Sequence, residues 1–199
     1  MKRDLEFLYE VGALRLIRRQ WSRFHLHNVQ NLAEHHYRVM WLALVIAAGE
    51  KQGDSEKILK MAMVHDIAES RTGDVDYLAR QYVIRNEAQG IKDMLAGTSL
   101  KTEFLELWKE YEDSISIEAK IVKDADNLDV DMDLREQWST GHRLADDWRK
   151  QRDHVAKTQL FTKTAKRMHE DIMHSNPQDW HIKSPQNRIN GGDWKQKDK

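Results

Sequence analysis

The 199-residue sequence contains no cysteine and little proline or glycine. Without cysteine, thiolate metal sites, disulfide bonds and cysteine nucleophiles are excluded, and histidine and carboxylate groups remain as the strong metal ligands. The two Pro and nine Gly do not recur at the short intervals that separate the strands of an all-β protein. Helix is therefore favoured along most of the chain.

The sequence also lacks an excess of either charge and any long hydrophobic run. Lys and Arg total 32 against 33 Asp and Glu, a net charge of -1, so we predict neither nucleic acid nor membrane as a partner. An anionic substrate must then be held by local groups. No apolar run approaches the roughly 20 residues that cross a bilayer, and MKRDLEFLYE lacks the apolar segment of a signal peptide. We expect a soluble, cytoplasmic protein.

Length and periodicity predict one helical domain over residues 1–175, followed by a polar C-terminal tail over residues 176–199. Apolar residues recur at helical spacing over residues 5–19, 32–50, 54–72, 76–95 and 102–112. A further helix should run from about Ser116 towards a bend at Gly141, and one or two polar helices should fill 142–174. Residues 20–31 are expected to form a loop.

The first chemical signal is MVHDIAESRTGD, residues 63–74, where an apolar helical face runs directly into His65 and Asp66. A His-Asp dipeptide alone is more often a hydrogen-bonded pair near a helix end than a ligand pair. Here Glu69, one turn after Asp66, and Asp74 add two further acids around the same helix end. Such a group of ionisable side chains needs a cation or solvent close by.

Two other segments carry histidine or clustered acids. AEHHYRV, residues 33–39, opens the most apolar helix, and its consecutive His35 and His36 diverge by about 100°, so only one readily faces a single internal site. In IVKDADNLDVDMD, residues 121–133, Asp126 lies at the edge of the apolar stripe. A charged, solvated helix face is the simpler interpretation of the remaining acids of this segment: Asp124, Asp129, Asp131 and Asp133.

In the order H…HD…D, these segments resemble the HD-domain metal-dependent phosphohydrolase superfamily, and most closely its bacterial 5′-deoxynucleotidase branch and related eukaryotic proteins. That branch typically shows RTGW, then S-V-A/S-E/D-H before an apolar helix, then H-D-x-x-E-x-x-x-G-D and V-K-x-x-D. The corresponding stretches are RRQW at 18–21, NLAEHHYRV at 31–39, HDIAESRTGD at 65–74 and VKDAD at 122–126. The resemblance spans roughly the first 130 residues and implies an all-α, single-domain HD-type helical bundle.

The resemblance implies a metal site formed by His35, His65, Asp66 and Asp126. Two imidazoles and two carboxylates suit a borderline divalent cation with positions open for water and substrate. The resemblance favours Co²⁺ or Mn²⁺, with Fe²⁺, Ni²⁺, Zn²⁺ and Mg²⁺ as alternatives. His36 lies where the family usually has Ser, Thr or Met, so it is expected either near the substrate or in helix packing.

The resemblance also implies catalytic and substrate-binding residues. Glu69 matches the family's catalytic acid, which can orient or deprotonate metal-bound water. Asp74 matches the acid that lies near the nucleotide and is assigned to both catalysis and substrate binding. Arg18 would offer a forked guanidinium to phosphate, and Trp21 would pack near the nucleotide. Because RQ stands where the family often has TG, Arg19 is an equally basic alternative to Arg18.

The implied activity is that of a metal-dependent phosphomonoesterase, which hydrolyses (deoxy)nucleoside 5′-monophosphates to nucleoside and phosphate. Two alternatives stay open: hydrolysis of nucleoside triphosphates or other phosphate esters at the same metal site, and nucleotide binding without turnover. A homodimer is expected because close relatives form one and symmetric dimers are the commonest oligomers. Trp138 and Trp148 are its candidate interface residues. Histidines beyond the matched region, such as His169, are expected at the surface or between packed helices.

Overall fold

The structure of the protein is a computed structural model that describes residues 1–26 and 28–185. Throughout these ranges the regular elements are α- and 3₁₀-helices, with no β-strand, which confirms the all-α prediction. Residues 186–199 of the predicted tail lie outside the described residues. The α-helices are, in chain order, α1 Lys2–Gly12, α2 Leu32–Glu50, α3 Ser55–Val64, α4 Glu69–Thr72, α5 Glu87–Leu95, α6 Lys101–Asp113, α7 Ile117–Ser139, α8 Leu144–Asp147, α9 Arg149–Thr158, α10 Lys163–His174 and α11 Asp179–Ile182.

Helices α2 and α7 form the centre of the bundle, and α3, α6 and α10 pack around them. The apolar face of α2 is fully buried at Val39, Ala43 and Ile46, and α7 is fully buried at Ile121 and Leu128. Burial of each large apolar side chain stabilises the fold by about 1.5–3 kcal/mol. None of the helices in the described part of the chain is long and apolar enough to cross a membrane.

A capping box fixes the start of α2. The Asn31 side chain accepts a hydrogen bond from the Glu34 amide, and the Glu34 carboxylate accepts one from the Asn31 amide. This arrangement satisfies two backbone donors at the end of the helix. It also fixes the orientation of the first turn, which carries His35, so the helix begins where the sequence predicted.

The predicted helix over 54–72 is interrupted in the structure. Asp54 caps α3 as expected, but α3 ends at Val64 and α4 begins only at Glu69. Between them the backbone makes tighter hydrogen bonds from residue i to i−3, as from the Glu69 amide to the Asp66 carbonyl. This tightening rotates the side chains that follow α3 away from a regular helical path. The prediction of one continuous helix was therefore wrong at the candidate site itself.

Two other predicted helices are shorter than expected. α1 ends at Gly12 and continues only as a 3₁₀-helix over Ala13–Leu16, and only Glu87–Leu95 of the predicted 76–95 helix is α-helical. The side chain of Asp76 accepts hydrogen bonds from two backbone amides of the following turn, and Asn86 caps the start of α5. Such side-chain acceptors compete with helical hydrogen bonds, which explains the irregular stretch between them.

The prediction that four acids of α7 are solvated was wrong. Asp124, Asp129, Asp131 and Asp133 are between 0% and 3% exposed. Asp129 is covered from α2 and the segment before it, where His35, Arg38 and Gln30 bind its carboxylate. Asp131 and Asp124 are covered by the polar region after Gly141, whose helices α8 and α10 pack on α7 and whose residues supply donors to both acids. Asp124, for example, accepts hydrogen bonds from the backbone amides of Phe161 and Thr162 at 2.8 Å.

Candidate metal centre

Four donor groups from three parts of the chain converge at one point. His35 lies in the first turn of α2, His65 and Asp66 follow α3, and Asp126 lies within α7. One donor atom from each lies within 4.8 Å of all the others. His35 Nε2 is 3.2 Å from His65 Nε2 and 3.3 Å from Asp126 Oδ1, and His65 Nε2 is 3.4 Å from Asp66 Oδ2. The structure therefore brings together the four predicted ligands.

The second nitrogen of each imidazole is already engaged. His65 Nδ1 donates to the Ala62 carbonyl at 2.8 Å, and His35 Nδ1 lies 2.6 Å from the Asp129 carboxylate. Both bonds fix the ring orientation and aim Nε2 at the common point, an arrangement usual for histidines that bind metals. Two imidazole nitrogens facing each other beside two carboxylates are a donor set that fits a divalent cation.

The electrostatics of the protein without a cation agree with this fit. Burial and Arg19 lower the pKa of His35, but its hydrogen bonds to Asp126 and Asp129 outweigh them and raise it to about 9. Burial disfavours the Asp126 carboxylate, yet the hydrogen bond from His35 and the charges of His35 and His65 hold its pKa well below the usual range. In the protein without a cation, the positive charge of protonated His35 thus balances the carboxylates of the cluster. A bound cation would supply that positive charge instead.

Glu69 lies beside the cluster in a strongly perturbed environment. Its side chain is buried, Oε1 accepts a hydrogen bond from Arg85 at 3.0 Å, and Oε2 has no partner among the described residues. Burial, followed by the charges of Asp66 and Asp74, raises the pKa of Glu69 to about 10. A cation bound next to Asp66 would lower this pKa again, because it favours the carboxylate.

Of the two adjacent arginines, the structure places Arg19 and not Arg18 at the site. Arg18 is exposed and donates to the Val29 carbonyl at 2.7 Å, whereas Arg19 is buried and lies 3.2 Å from the Asp74 carboxylate. The cause is local: residues 18 and 31 form an isolated antiparallel bridge. Extended backbone directs consecutive side chains to opposite sides, so only one of the two arginines can face inwards.

Trp21 lies behind the site and does not line its cavity. Its ring is 1% exposed, with its centroid 5.0 Å from that of Trp148 and 6.2 Å from that of Tyr77. Tyr77 in turn lines the cavity, so Trp21 supports the wall through it. Trp148 is engaged within this aromatic cluster and also packs on Phe24.

A cavity of about 410 Å³ opens above the four donor groups. Its wall includes four residues that the sequence predicted for the site: Asp66, Glu69, Asp74 and Asp126. Arg19, the alternative to Arg18 in the RRQW motif, also lines it. So do several residues that no sequence motif indicated, among them Tyr77, Arg80, Arg85, Glu87, Tyr111, Glu112 and Arg152. These residues come from the irregular stretch before α5, from α5 and α6, and from α9, and their meeting in one wall depends on tertiary packing rather than on local pattern.

Fold and site together define a helical protein with a His-Asp cluster that fits a divalent cation. The model of the HD domain family matches residues 11–174. Human 5′-deoxynucleotidase HDDC2 is 30% identical over 145 residues, which cover 70% of each chain, and the Dictyostelium discoideum protein of the same name is 31% identical over 157 residues, 72% of this chain and 82% of that one. The solved structure of a conserved hypothetical protein from Pyrococcus furiosus superposes with a TM-score of 0.73 at 27% identity, covering 86% of this chain and 99% of that one. This chain belongs to the HD domain family.

Proposed function

We propose that this protein is a metal-dependent phosphomonoesterase that hydrolyses (deoxy)nucleoside 5′-monophosphates to nucleoside and phosphate. The observation that carries the proposal is the cluster of buried His35 and His65 with the partly exposed Asp66 and Asp126, which has the Glu69 carboxylate beside it. The relatives named 5′-deoxynucleotidase support a nucleotide as the substrate.

His35, His65, Asp66 and Asp126 would hold the cation, for which we favour Co²⁺ or Mn²⁺. When bound, a divalent cation acts as a Lewis acid towards a phosphate oxygen and lowers the pKa of water. We assign Glu69 the role of taking the proton of the attacking water, since its Oε2 is buried without a partner among the described residues. Arg85 fixes the orientation of that carboxylate through its 3.0 Å bond to Oε1.

Arg19 takes the phosphate-binding role that the sequence assigned to either of two arginines. Its guanidinium is buried against Asp74, and its Nε has no hydrogen-bond partner in the described ranges. Asp74 therefore acts by orienting Arg19, and it is itself fixed by a hydrogen bond from the Gln20 amide at 3.1 Å. Tyr77, half exposed at the cavity wall, offers a ring against which the nucleoside can pack.

A phosphatase screen tests the proposal. The purified protein is supplied with Mn²⁺ or Co²⁺ and offered ribo- and deoxyribonucleoside mono-, di- and triphosphates, and the products are identified. We expect inorganic phosphate and nucleoside from monophosphates, fastest from deoxynucleotides. Release of pyrophosphate or triphosphate would instead favour the triphosphate alternative, and binding without turnover would favour a non-catalytic module. The Asp66→Ala protein, prepared in parallel, controls for contaminating phosphatases.

We also propose that the protein forms a homodimer. Trp138 supports this, because it lies on α7 with 39% of its surface exposed and an Arg135 guanidinium 3.8 Å from its ring centroid. Trp148, the other candidate, packs within its own chain and is the weaker one. Light scattering at micromolar concentration should give twice the 23.5 kDa chain mass, and the monomer mass would reject the proposal.

A further inference from the structure

Arg152 lines the cavity from α9, outside the segments that form the cation centre. Although it is only 4% exposed, two of its three guanidinium nitrogens are already engaged. Nε donates to Asp131 Oδ1 at 2.5 Å, and Nη2 donates to the Asn127 carbonyl at 2.8 Å. None of the described residues accepts a hydrogen bond from Nη1. The guanidinium is thus held from behind and keeps one nitrogen for a ligand in the cavity.

A buried acid and a buried histidine support Arg152. Asp131 is 1% exposed and does not line this cavity, and its second oxygen lies 2.9 Å from His169 Nδ1. His169, on α10, is also 1% exposed. The orientation of Arg152 is therefore fixed by two contacts with α7, and the carboxylate of one of them is held in turn by α10. Removing three polar groups from water is unfavourable unless they are well paired, so this chain of contacts restricts the guanidinium to one position.

Arg152 is also placed beside the cation centre. The carbonyl that it binds belongs to Asn127, the residue directly after Asp126. Two other arginines of the cavity wall are paired with carboxylates of the same wall, Arg19 with Asp74 and Arg85 with Glu69 and Glu87. The carboxylate that Arg152 pairs with lies behind the wall instead. Arg80, the fourth arginine of the wall, donates to the Val75 carbonyl at 2.8 Å. A phosphate dianion that enters this acidic cavity therefore meets at Arg152 a guanidinium that no carboxylate among the described residues of the wall neutralises, in addition to the unpaired Nε of Arg19.

We propose that Arg152 is a substrate-binding residue that holds the phosphate group next to Asp126, and that Asp131 and His169 are positioning residues for its guanidinium. The inference rests on the proposed function in that a phosphate ester is taken as the ligand. It extends the site to α9 and α10, which lie beyond every motif of the sequence.

Binding of inorganic phosphate to the full-length, Mn²⁺-loaded protein, followed by titration calorimetry, tests this role without turnover. Removing Arg152 alone would leave Asp131 buried without its cation, so the double variant Arg152→Gln/Asp131→Asn is compared with Asp131→Asn. Lys150→Gln, an exposed position on the same helix, is the matched loss of one positive charge. We expect phosphate affinity to fall by about tenfold or more in the double variant, given the strength of charge-assisted hydrogen bonds, and to stay within twofold in Lys150→Gln.

The positioning residues give a second readout. His169→Gln keeps a donor for Asp131 and should retain phosphate affinity within twofold, whereas His169→Ala should weaken it several-fold with unchanged Mn²⁺ stoichiometry. In turnover assays, KM for the nucleotide should rise more than kcat falls. If the double variant does not fold, as judged by circular dichroism, Arg152→Lys takes its place, since it keeps the charge but loses the fork.

The outcomes separate this inference from the proposed function. Phosphate affinity that does not depend on Arg152, or wild-type protein that binds no phosphate at millimolar concentration, overturns the inference even if nucleotides are hydrolysed. Arg152-dependent phosphate binding in a protein that releases no phosphate from any nucleotide supports the inference and removes the proposed function.

Discussion

The carboxylates of α7 fall into two groups with different partners. Asp126 faces the cavity with a side chain 28% exposed, and its ion-pair partner in the described part of the chain is His35. Asp129, less than one turn further on, is fully buried and binds His35, Arg38 and Gln30. The contrast shows how one helix serves two purposes. Asp129, whose carboxylate is bound by several protein donors, stabilises the packing of α7. Asp126, which faces the cavity and the imidazole nitrogens, is free to bind a cation.

The same distinction holds along the rest of the helix. Asp124 accepts hydrogen bonds from Phe161 and Thr162 and so ties α7 to the segment before α10. Asp131 is bound by Arg152 and His169. Asp133 differs from both, because its Oδ2 is buried without a partner in the described ranges. Replacing members of each group should therefore change either metal binding or stability.

The largest effect is expected from Asp66→Ala or His65→Ala. Each removes one donor from the cluster and leaves the rest unable to hold the cation tightly, so metal binding and hydrolysis should both be abolished. Metal content of the purified variants, measured by elemental analysis, checks this. Asp124→Asn is the matched control on the scaffold side and should keep full occupancy; full occupancy in Asp66→Ala would remove that residue from the cluster.

Glu69→Ala should separate catalysis from metal binding. Glu69 is placed next to the four donor groups and is not one of them, so the variant should keep its metal and helical content. Its kcat should fall by about 10²- to 10⁴-fold, the usual cost of losing a positioned acid or base. If kcat falls by less than about threefold at equal metal occupancy, another group must take the proton.

Asp129→Asn tests whether this buried acid affects metal affinity through its contact with the candidate ligand His35. Its carboxylate lies 2.6 Å from His35 Nδ1, and second partners of this kind typically contribute about 10- to 100-fold to metal affinity. We expect weaker Mn²⁺ binding in titration calorimetry, with stoichiometry unchanged at saturation. Affinity equal to wild type would mean that the orientation of His35 is set by helix packing alone.

Sequence motifs located the candidate ligands but not the residues that support them. His65, Asp66 and Asp126 were assigned because their short motifs resemble those of the family and follow the same order, and the structure brings them together with His35. Arg152 pairs with Asp131 only because the chain folds back and brings this residue of α9 to α7, a contact between residues 21 positions apart that no periodicity encodes. For the same reason acids such as Asp131 were expected to be solvated. Donors contributed by later helices decide their burial.

Asp133→Asn should raise stability in a pH-dependent manner. Burial raises the pKa of Asp133 from 3.8 to about 6, with Asp129 and Glu136 adding to the rise. The folded protein therefore binds this proton more tightly than the unfolded chain, and stability is lost as the pH rises from about 4 to about 6, by at most about 3 kcal/mol. Asparagine cannot ionise, so the variant should gain about 1–2 kcal/mol at pH 8 and nothing at pH 4.

Urea unfolding of the metal-free protein at the two pH values measures this gain. Asp113→Asn, an exposed acid on α6, is the control and should change stability by less than about 0.5 kcal/mol at either pH. Equal effects of Asp133→Asn at pH 4 and pH 8 would show that the pKa of Asp133 is the same in the folded and the unfolded protein, and would contradict the raised pKa.

The smallest effect is expected at His36, where adjacency to His35 makes the comparison sharp. His36 Nδ1 donates to the Leu32 carbonyl at 2.7 Å, and its ring centroid lies 4.5 Å from that of His65. Burial, followed by the charges of His65 and His35, lowers its pKa well below the usual value, so the ring is neutral. Its Nε2 is buried without a partner in the described residues and is absent from the four-donor cluster. We therefore expect His36 to pack against the candidate ligand His65 and not to bind the cation itself. His36→Ser should keep full metal occupancy and kcat/KM within about threefold, whereas His35→Ala should lose the metal. Loss of metal in the His36 variant alone would transfer the ligand role to His36, because two side chains about 100° apart on one helix cannot both reach the same cation.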